Sequence, residues 1–352
     1  MNPSENPTPP VHKRRPRYSG KNPRRFDQKY KEHAQDPETL AKVLASGKTP
    51  AGTHRPIMVK EIIDLLHPSP GETAIDCTLG HGGHSLEILK LIQPHGRLLA
   101  LDADPVEFPR TQQRIVQNGF GPECAILLRT NFASLHRAHS DSGLPAADIL
   151  LADLGVSSMQ LDDPTRGFST KSEGPLDMRM NPNKGEPAAR LIQRSTPADL
   201  SALLHDHADE PHAEEVGQTI AGKTFATTQD LVTTLRRQFP RASADDLNLT
   251  LRRVFQALRI AVNDEFGALD NLLRQIPLCT APNARIAILS FHSGEDRRVK
   301  SAFERGLSAN WYQAISPAPL RPSAEERVAN TRSTPARLRW AIRSHRQSHL
   351  DP

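Results

Sequence analysis

The run Ala74-Ile75-Asp76-Cys77-Thr78-Leu79-Gly80-His81-Gly82-Gly83-His84-Ser85 reads as a strand that breaks into a glycine turn and opens a helix. Glycines at 80, 82 and 83 remove Cβ atoms and permit positive φ, so backbone N–H groups can approach a ligand above a helix N-terminus. A glycine turn alone is weak evidence. Its position strengthens it: the apolar run Arg97-Leu98-Leu99-Ala100-Leu101 ends in Asp102, about 20 residues beyond the glycines, where a nucleotide fold hydrogen-bonds a ribose.

Working outward, helical spacing predicts a helix over Val59 to Leu66, a strand at Thr73 to Cys77 and a helix over Ser85 to Ile92. Further strands are expected at Arg97 to Leu101, Cys124 to Arg129, Asp148 to Leu154 and Arg285 to Phe291, short apolar runs of the kind buried on both faces of a parallel sheet. Their alternation with helices predicts an open, doubly wound α/β fold. Between Leu154 and Leu249 lies an interval of about 95 residues, too long for a crossover. It is expected to be an inserted helical subdomain over 160–247, with short helices around Pro187 to Leu204, Glu214 to Ala221 and Thr228 to Phe239. That leaves 53–159 and 248–345 as the main α/β domain and 346–352 as a tail. One long amphipathic helix is expected over Leu249 to Ile276, opposite whose apolar face run Arg252, Gln256, Arg259 and Asn263. Such a polar stripe is either a solvated face or a contact for RNA phosphates.

The chain has 352 residues and a net charge of +5, concentrated at its ends. Residues 1–52 hold 11 Lys/Arg against 5 Asp/Glu, and residues 327–352 hold 6 Arg against one acid. The first 52 residues are rich in Pro and basic groups, so they are expected to stay disordered apart from a short helix near Pro37 to Ser46. Basic tails either are merely solvated or touch phosphate. The three cysteines, Cys77, Cys124 and Cys279, are widely spaced without a CxxC pair, which argues against a disulfide framework or a thiolate zinc site and for a reducing cytoplasm. Neither a signal core nor a membrane span is expected.

Asp153 closes the strand Asp148 to Leu154 and is expected to face the same crevice as Gly82 and Asp102, the alternative being a helix or turn cap. The following loop, from Gln160 through Arg166, Asp177 and Arg179 to Met180, is dense in Asp, Arg, Gly and Pro. It is either a substrate lid or a surface loop tied by Asp–Arg pairs. Ser290-Phe291-His292-Ser293-Gly294-Glu295 ends the last expected strand, and Ser293 with Asp296 has helix-capping spacing. His205, His207 and His212 match no metal-binding spacing, and no metal is expected. There is no GxSxG, Walker A or HExxH sequence.

Together, Thr78 to Ser85, Asp153 to Ser158, Gln160 to Asp163, Arg166 to Ser169, Gly174 to Met180, Phe255 to Ile260 and Ser290 to Ser293 closely resemble, in the same order, the ribosomal RNA small-subunit methyltransferase H (MraW) family. The likeness runs from His54 to about Arg339. It implies a class I S-adenosylmethionine-dependent methyltransferase fold, Rossmann-like, with an inserted helical subdomain that helps to position RNA. It implies methyl transfer from S-adenosylmethionine to the exocyclic N4 of a cytidine in the decoding region of 16S rRNA, with the small ribosomal subunit as partner. Cofactor contacts fall on Gly82, Gly83, His84, Asp102, Phe132, Asp153 and Gln160. The chain departs from the family's pattern at Ala103, Met159, Leu249 to Arg252, Gly294 and Pro335.

Cytosine N4 is a poor nucleophile, so the enzyme's task is placement, with a polar acceptor for the charge that develops on nitrogen. Asp153 is the expected acceptor or proton exit, with a backbone carbonyl near Leu154 as competitor. Arg166 and Arg179 are expected to grip phosphates and Asp177 to accept from the base amine, with Arg259, Asn263 and His292 as further substrate contacts. Extruding the base costs a few kcal/mol, which loop and insertion contacts would offset. Two other readings remain open: an NAD-dependent oxidoreductase, and a ribosome-assembly RNA-binding protein without catalysis. Monomer and homodimer are equally open.

Overall fold

The computed structural model describes residues 56–345. The extension expected at 1–52, with its short helix, and the tail 346–352 lie outside the described residues. The chain runs α1 (Val59–Leu66), β1 (Thr73–Asp76), α2 (Gly83–Ile92), β2 (Arg97–Leu101), α3 (Phe108–Gln117), β3 (Ala125–Leu128), α4 (Leu135–Ser142), β4 (Ala147–Asp153) and α5 (Ser158–Asp162). It continues through α6 (Ala188–Arg194), α7 (Pro197–Ala208), α8 (Ala213–Ile220), α9 (Thr228–Gln238), α10 (Ala244–Asn263) and α11 (Glu265–Cys279). Then come β5 (Thr280–Ser290), α12 (Ser293–Ser308), β6 (Tyr312–Ile315), α13 (Ala324–Ala329) and β7 (Arg337–Arg343).

The sheet has seven strands in the order β3-β2-β1-β4-β5-β7-β6. Strands β1 to β5 pair in parallel, and β7 runs antiparallel to both its neighbours. Alternating residues feed two cores, as the strand period of two requires. Ile75, Leu99, Leu150 and Ile288 pack with Leu135, Leu272 and Phe303; Ala74, Leu98, Leu151 and Leu289 pack with Ile62, Ile88 and Ile115.

Two expectations change. Strands β6 and β7 were not foreseen, although Arg337-Leu338-Arg339-Trp340-Ala341-Ile342-Arg343 carries a strand's alternation. Its arginines hide the signal because two of them are buried: Arg339 pairs with Asp296 at 2.6 Å, and Arg343 donates to the Trp311 carbonyl at 2.6 Å. The single helix expected over 249–276 is in fact α10 and α11. Asp264 between them sits at φ 47°, in the left-handed region that Asp tolerates better than most residues.

A third core joins Leu191, Leu200, Val216, Leu231, Val254 and Leu258 to Leu176 and Met178 of the loop before α6. Thr196 with Asp199 and Thr227 with Asp230 form capping boxes that start α7 and α9. Because α10 contributes from Leu247 onward to this core, the expected boundary at residue 247 falls inside a helix.

Candidate active site

A cavity of about 460 Å³ opens at the carboxyl ends of β1, β2, β4 and β5. The glycine turn forms one wall. Gly80 and Gly82 have φ of 49° and 79°, and Gly82 caps α2. A Cβ on Gly83 would lie 2.8 Å from the Pro56 ring. Two groups of α3 hold the turn from behind: Thr111 Oγ1 donates to the Gly80 carbonyl at 2.6 Å and Arg114 to the His81 carbonyl at 2.7 Å.

Asp102 lies beside the turn, accepting from Gly80 N and from Asp104 N, each at 2.7 Å. Burial raises its pKa to about 6, against the pull of those two N–H groups. At the end of β1, Asp76 accepts from Ser85 Oγ at 2.6 Å and Thr78 N at 2.9 Å, while burial pushes it up. Thr78 Oγ1 in turn accepts from Asp153 N at 2.6 Å, which fixes the end of β4 against the end of β1. Asp153 Oδ2 lies 3.5 Å from His84 Nε2. Asp153 Oδ1 and His84 Nε2 are buried with no hydrogen-bond partner among the described residues. Phe132 adds a partly buried ring to the cavity.

The loop after β4 is fastened rather than free. Arg166 is buried, with its guanidinium 2.9 Å from Asp104 Oδ2 and bonded to the carbonyls of Arg179 and Met180. It therefore presents nothing to a phosphate, contrary to expectation, because a buried cation requires a fixed partner. Gln160 donates to the same Asp104 oxygen at 2.7 Å and accepts from Ser157 N, so it lines the cavity with most of its amide already engaged. Asp177 is not open to a base amine: both its oxygens bond Arg179, at 2.8 and 2.7 Å. Burial pushes Asp177 up, and Arg179 outweighs it, holding the carboxyl below its usual range. Arg179 is correspondingly held by Asp177 rather than free for phosphate.

Asn263 pins this loop to α10, donating to the Met178 carbonyl at 2.8 Å and accepting from Met180 N at 2.7 Å. Arg259 grips Glu265 bidentately at 2.8 and 2.9 Å. Gln256, Arg259 and Asn263 of the polar stripe thus reach the cavity, whereas Arg252 is exposed. His292 also lines the cavity and caps α12 with Glu295, replacing the Ser293 and Asp296 pair that the spacing suggested. Glu265, His292 and Glu295 lie close enough to hold a cation. Arg259 already supplies the positive charge this cluster needs.

The outer wall comes from the end of the chain. Thr331, Arg332 and Pro335 border the cavity, Arg332 bonds Asp162 at 2.6 Å, and Glu326 accepts from Met58 N at 2.8 Å. Sequence reasoning missed Asp76, Asp104, Thr111 and this strap. Asp76 and Asp104 stand near strand ends that were recognised, a signal that was there to use; the strap's block from Asn330 to Thr334 resembles the family but nothing in it says that it borders the cavity, and Thr111 gave no signal.

The model of the MraW methylase family matches residues 51–344. The chain belongs to that family. It is 43% identical, over 97% of its length and 96% of the relative's, to the protein named ribosomal RNA small subunit methyltransferase H 1 of Lachnoclostridium phytofermentans. It is 44% identical to methyltransferase H 2 of Alkaliphilus metalliredigens, over 94% of this chain and 97% of that one. The sheet of this MraW methylase is that of a class I methyltransferase, and the dinucleotide oxidoreductase reading of the glycine turn falls. The cofactor is S-adenosylmethionine, and the cavity offers polar and apolar groups of the kind it needs: the Asp102 carboxylate, the Phe132 ring, the glycine turn and a buried Asp153 oxygen without a partner among the described residues.

Proposed function

We propose that this methyltransferase methylates the exocyclic N4 of a cytidine in the decoding region of 16S rRNA, the target base entering the cavity beside Asp153. The single observation that carries this reading is the unpartnered Asp153 oxygen, buried at the end of β4 in the same cavity as the Asp102 carboxylate and the glycine turn. When bound, S-adenosylmethionine supplies an electrophilic methyl group. Asp102 holds the ribose by accepting its hydroxyls, Gly82 and Gly83 let the helix N-terminus come close, and Phe132 excludes water on the apolar side. Asp153 accepts from the amine and stabilises the positive charge as nitrogen acquires its new bond, a preorganised acceptor in a site shielded from water. The proton then has a carboxylate to leave by. His84, 3.5 Å away, helps to set the orientation of that carboxylate.

Nucleoside mass spectrometry of 16S rRNA from cells with and without this gene tests the proposal directly. N4-methylated cytidine should vanish without the gene and return with the wild-type chain. No difference between the two rRNAs would sink it. Calorimetry gives the cofactor arm, with S-adenosylmethionine binding and NADH not.

A further inference from the structure

A second cavity, about 800 Å³, lies on the other side of α11. That helix is a shared wall: Glu265, Ala268 and Leu269 face the first cavity, and Phe266, Asp270 and Leu273 face the second. A helix with its side chains is about 10 Å across, so the two spaces are one helix apart. The groove follows α12 from Gly294 to Ala309, a length of about 22 Å at the helical rise. Its near end, Gly294, is two residues from His292 in the first cavity. A Cβ at Gly294 would meet the Phe266 ring at 2.6 Å, so the glycine is what allows that ring to form the floor.

The walls are basic. Arg274 comes from α11 and Arg297, Arg298 and Arg305 from α12, with Trp311 at the far end. Arg298 lies 4.2 Å over the Phe266 ring and pairs with Asp270, and Arg297 pairs with Asp209. Arg274 bonds only neutral acceptors, the Asp270 carbonyl and the Asn271 amide. Arg305 makes no ion pair among the described residues and is exposed. The other lining carboxylate, Asp206, is bonded to His205. Two uncompensated guanidinium groups therefore face a groove that ends in an indole. Guanidinium groups bind phosphate bidentately, and aromatic faces stack bases without regard to sequence.

We propose that this groove is a second RNA subsite, holding the strand that flanks the methylated nucleotide while the target base occupies the cavity across α11. This rests on the rRNA reading above. The commitment to RNA follows from the charge and from the pairing of arginines without ion-pair partners among the described residues with a half-buried indole at the groove's end, next to the site where a nucleotide must be delivered.

The test uses the full chain, a decoding-region RNA fragment and the double substitution Arg274→Ala with Arg305→Ala. Dissociation and Michaelis constants for RNA should rise about tenfold, and the slope of log affinity against log salt should fall by about 2. Turnover at saturating RNA and S-adenosylmethionine affinity should stay at wild type. Because Trp311 and Trp340 are the only tryptophans, Trp340→Phe leaves Trp311 as the sole reporter, and RNA should quench its emission. Wild-type RNA affinity and salt slope in the double variant would overturn the subsite, as would unquenched Trp311 emission at saturating RNA. If the double variant does not fold, the charge reversal Arg305→Glu on the exposed helix face replaces it with the same readouts. The two readings separate cleanly. A wild type that methylates the RNA with a silent groove removes only the subsite; arginine-dependent binding without any methylation removes only the proposed function.

Discussion

Asp102 is the residue whose chemistry is most exposed to experiment. Its pKa is raised to about 6, so it is ionised near neutral pH and protonated below that value. Protonation removes an acceptor for ribose hydroxyls, so S-adenosylmethionine affinity should fall by up to about tenfold per unit as pH drops below about 6, measured by calorimetry. The sign for stability is the reverse: a raised carboxyl pKa means that ionisation costs the unliganded fold stability as pH rises through about 6. Asp153→Asn should keep cofactor affinity within a few-fold and lower single-turnover methyl transfer at least about a hundredfold, the scale of removing one preorganised group. Arg166→Ala leaves Asp104 buried without its cation, so it should cost about 3–5 kcal/mol in denaturant unfolding and weaken cofactor and RNA binding together. Asp102 and Asp153 were legible because each ends an apolar run, and strand ends point at a common crevice. Arg166 was misread because its partner Asp104 stands 62 residues away in the chain, and nothing local to Arg166 says that its charge is buried against that carboxylate.

At the scale of elements, the parallel strands were readable because each is a short apolar run buried on both faces. The break between α10 and α11 was not, because the apolar stripe continues across Asp264 with little change of phase while one residue alone reverses its φ. β7 was hidden by arginines whose side chains find their partners, the Asp296 carboxylate and the Trp311 carbonyl, only in three dimensions. The tie between α10 and the loop 174–180 gives an element-scale prediction. Asn263→Ala removes two hydrogen bonds to Met178 and Met180, at a cost of about 1–3 kcal/mol. Hydrogen exchange should accelerate over 174–180 and stay slow in β1 and β4. Gly83→Ala should be costlier than its size suggests, since the new methyl would press the Pro56 ring at 2.8 Å. The expected loss is about 1–3 kcal/mol, with weaker cofactor binding, and melting with and without S-adenosylmethionine measures both.

For the whole molecule, two cores back the sheet and a third holds the inserted helices. The length of the interval after β4 announced that insertion, but sequence could not show that α10 serves it and the cavity wall at once. Among the described residues no helix is long and apolar enough to cross a membrane. The strap that closes the cavity is tied to the loop after β4 by the Arg332–Asp162 pair. Arg332→Ala removes a partly exposed pair worth at most about 1 kcal/mol of stability, yet it should speed cofactor release several-fold in stopped-flow displacement, because the outer wall then opens more often. That strap and β7 are also the last of the described residues to be synthesised. Until Thr331 to Arg343 have emerged from the ribosome, β6 lacks its pairing strand and the cavity lacks its outer wall.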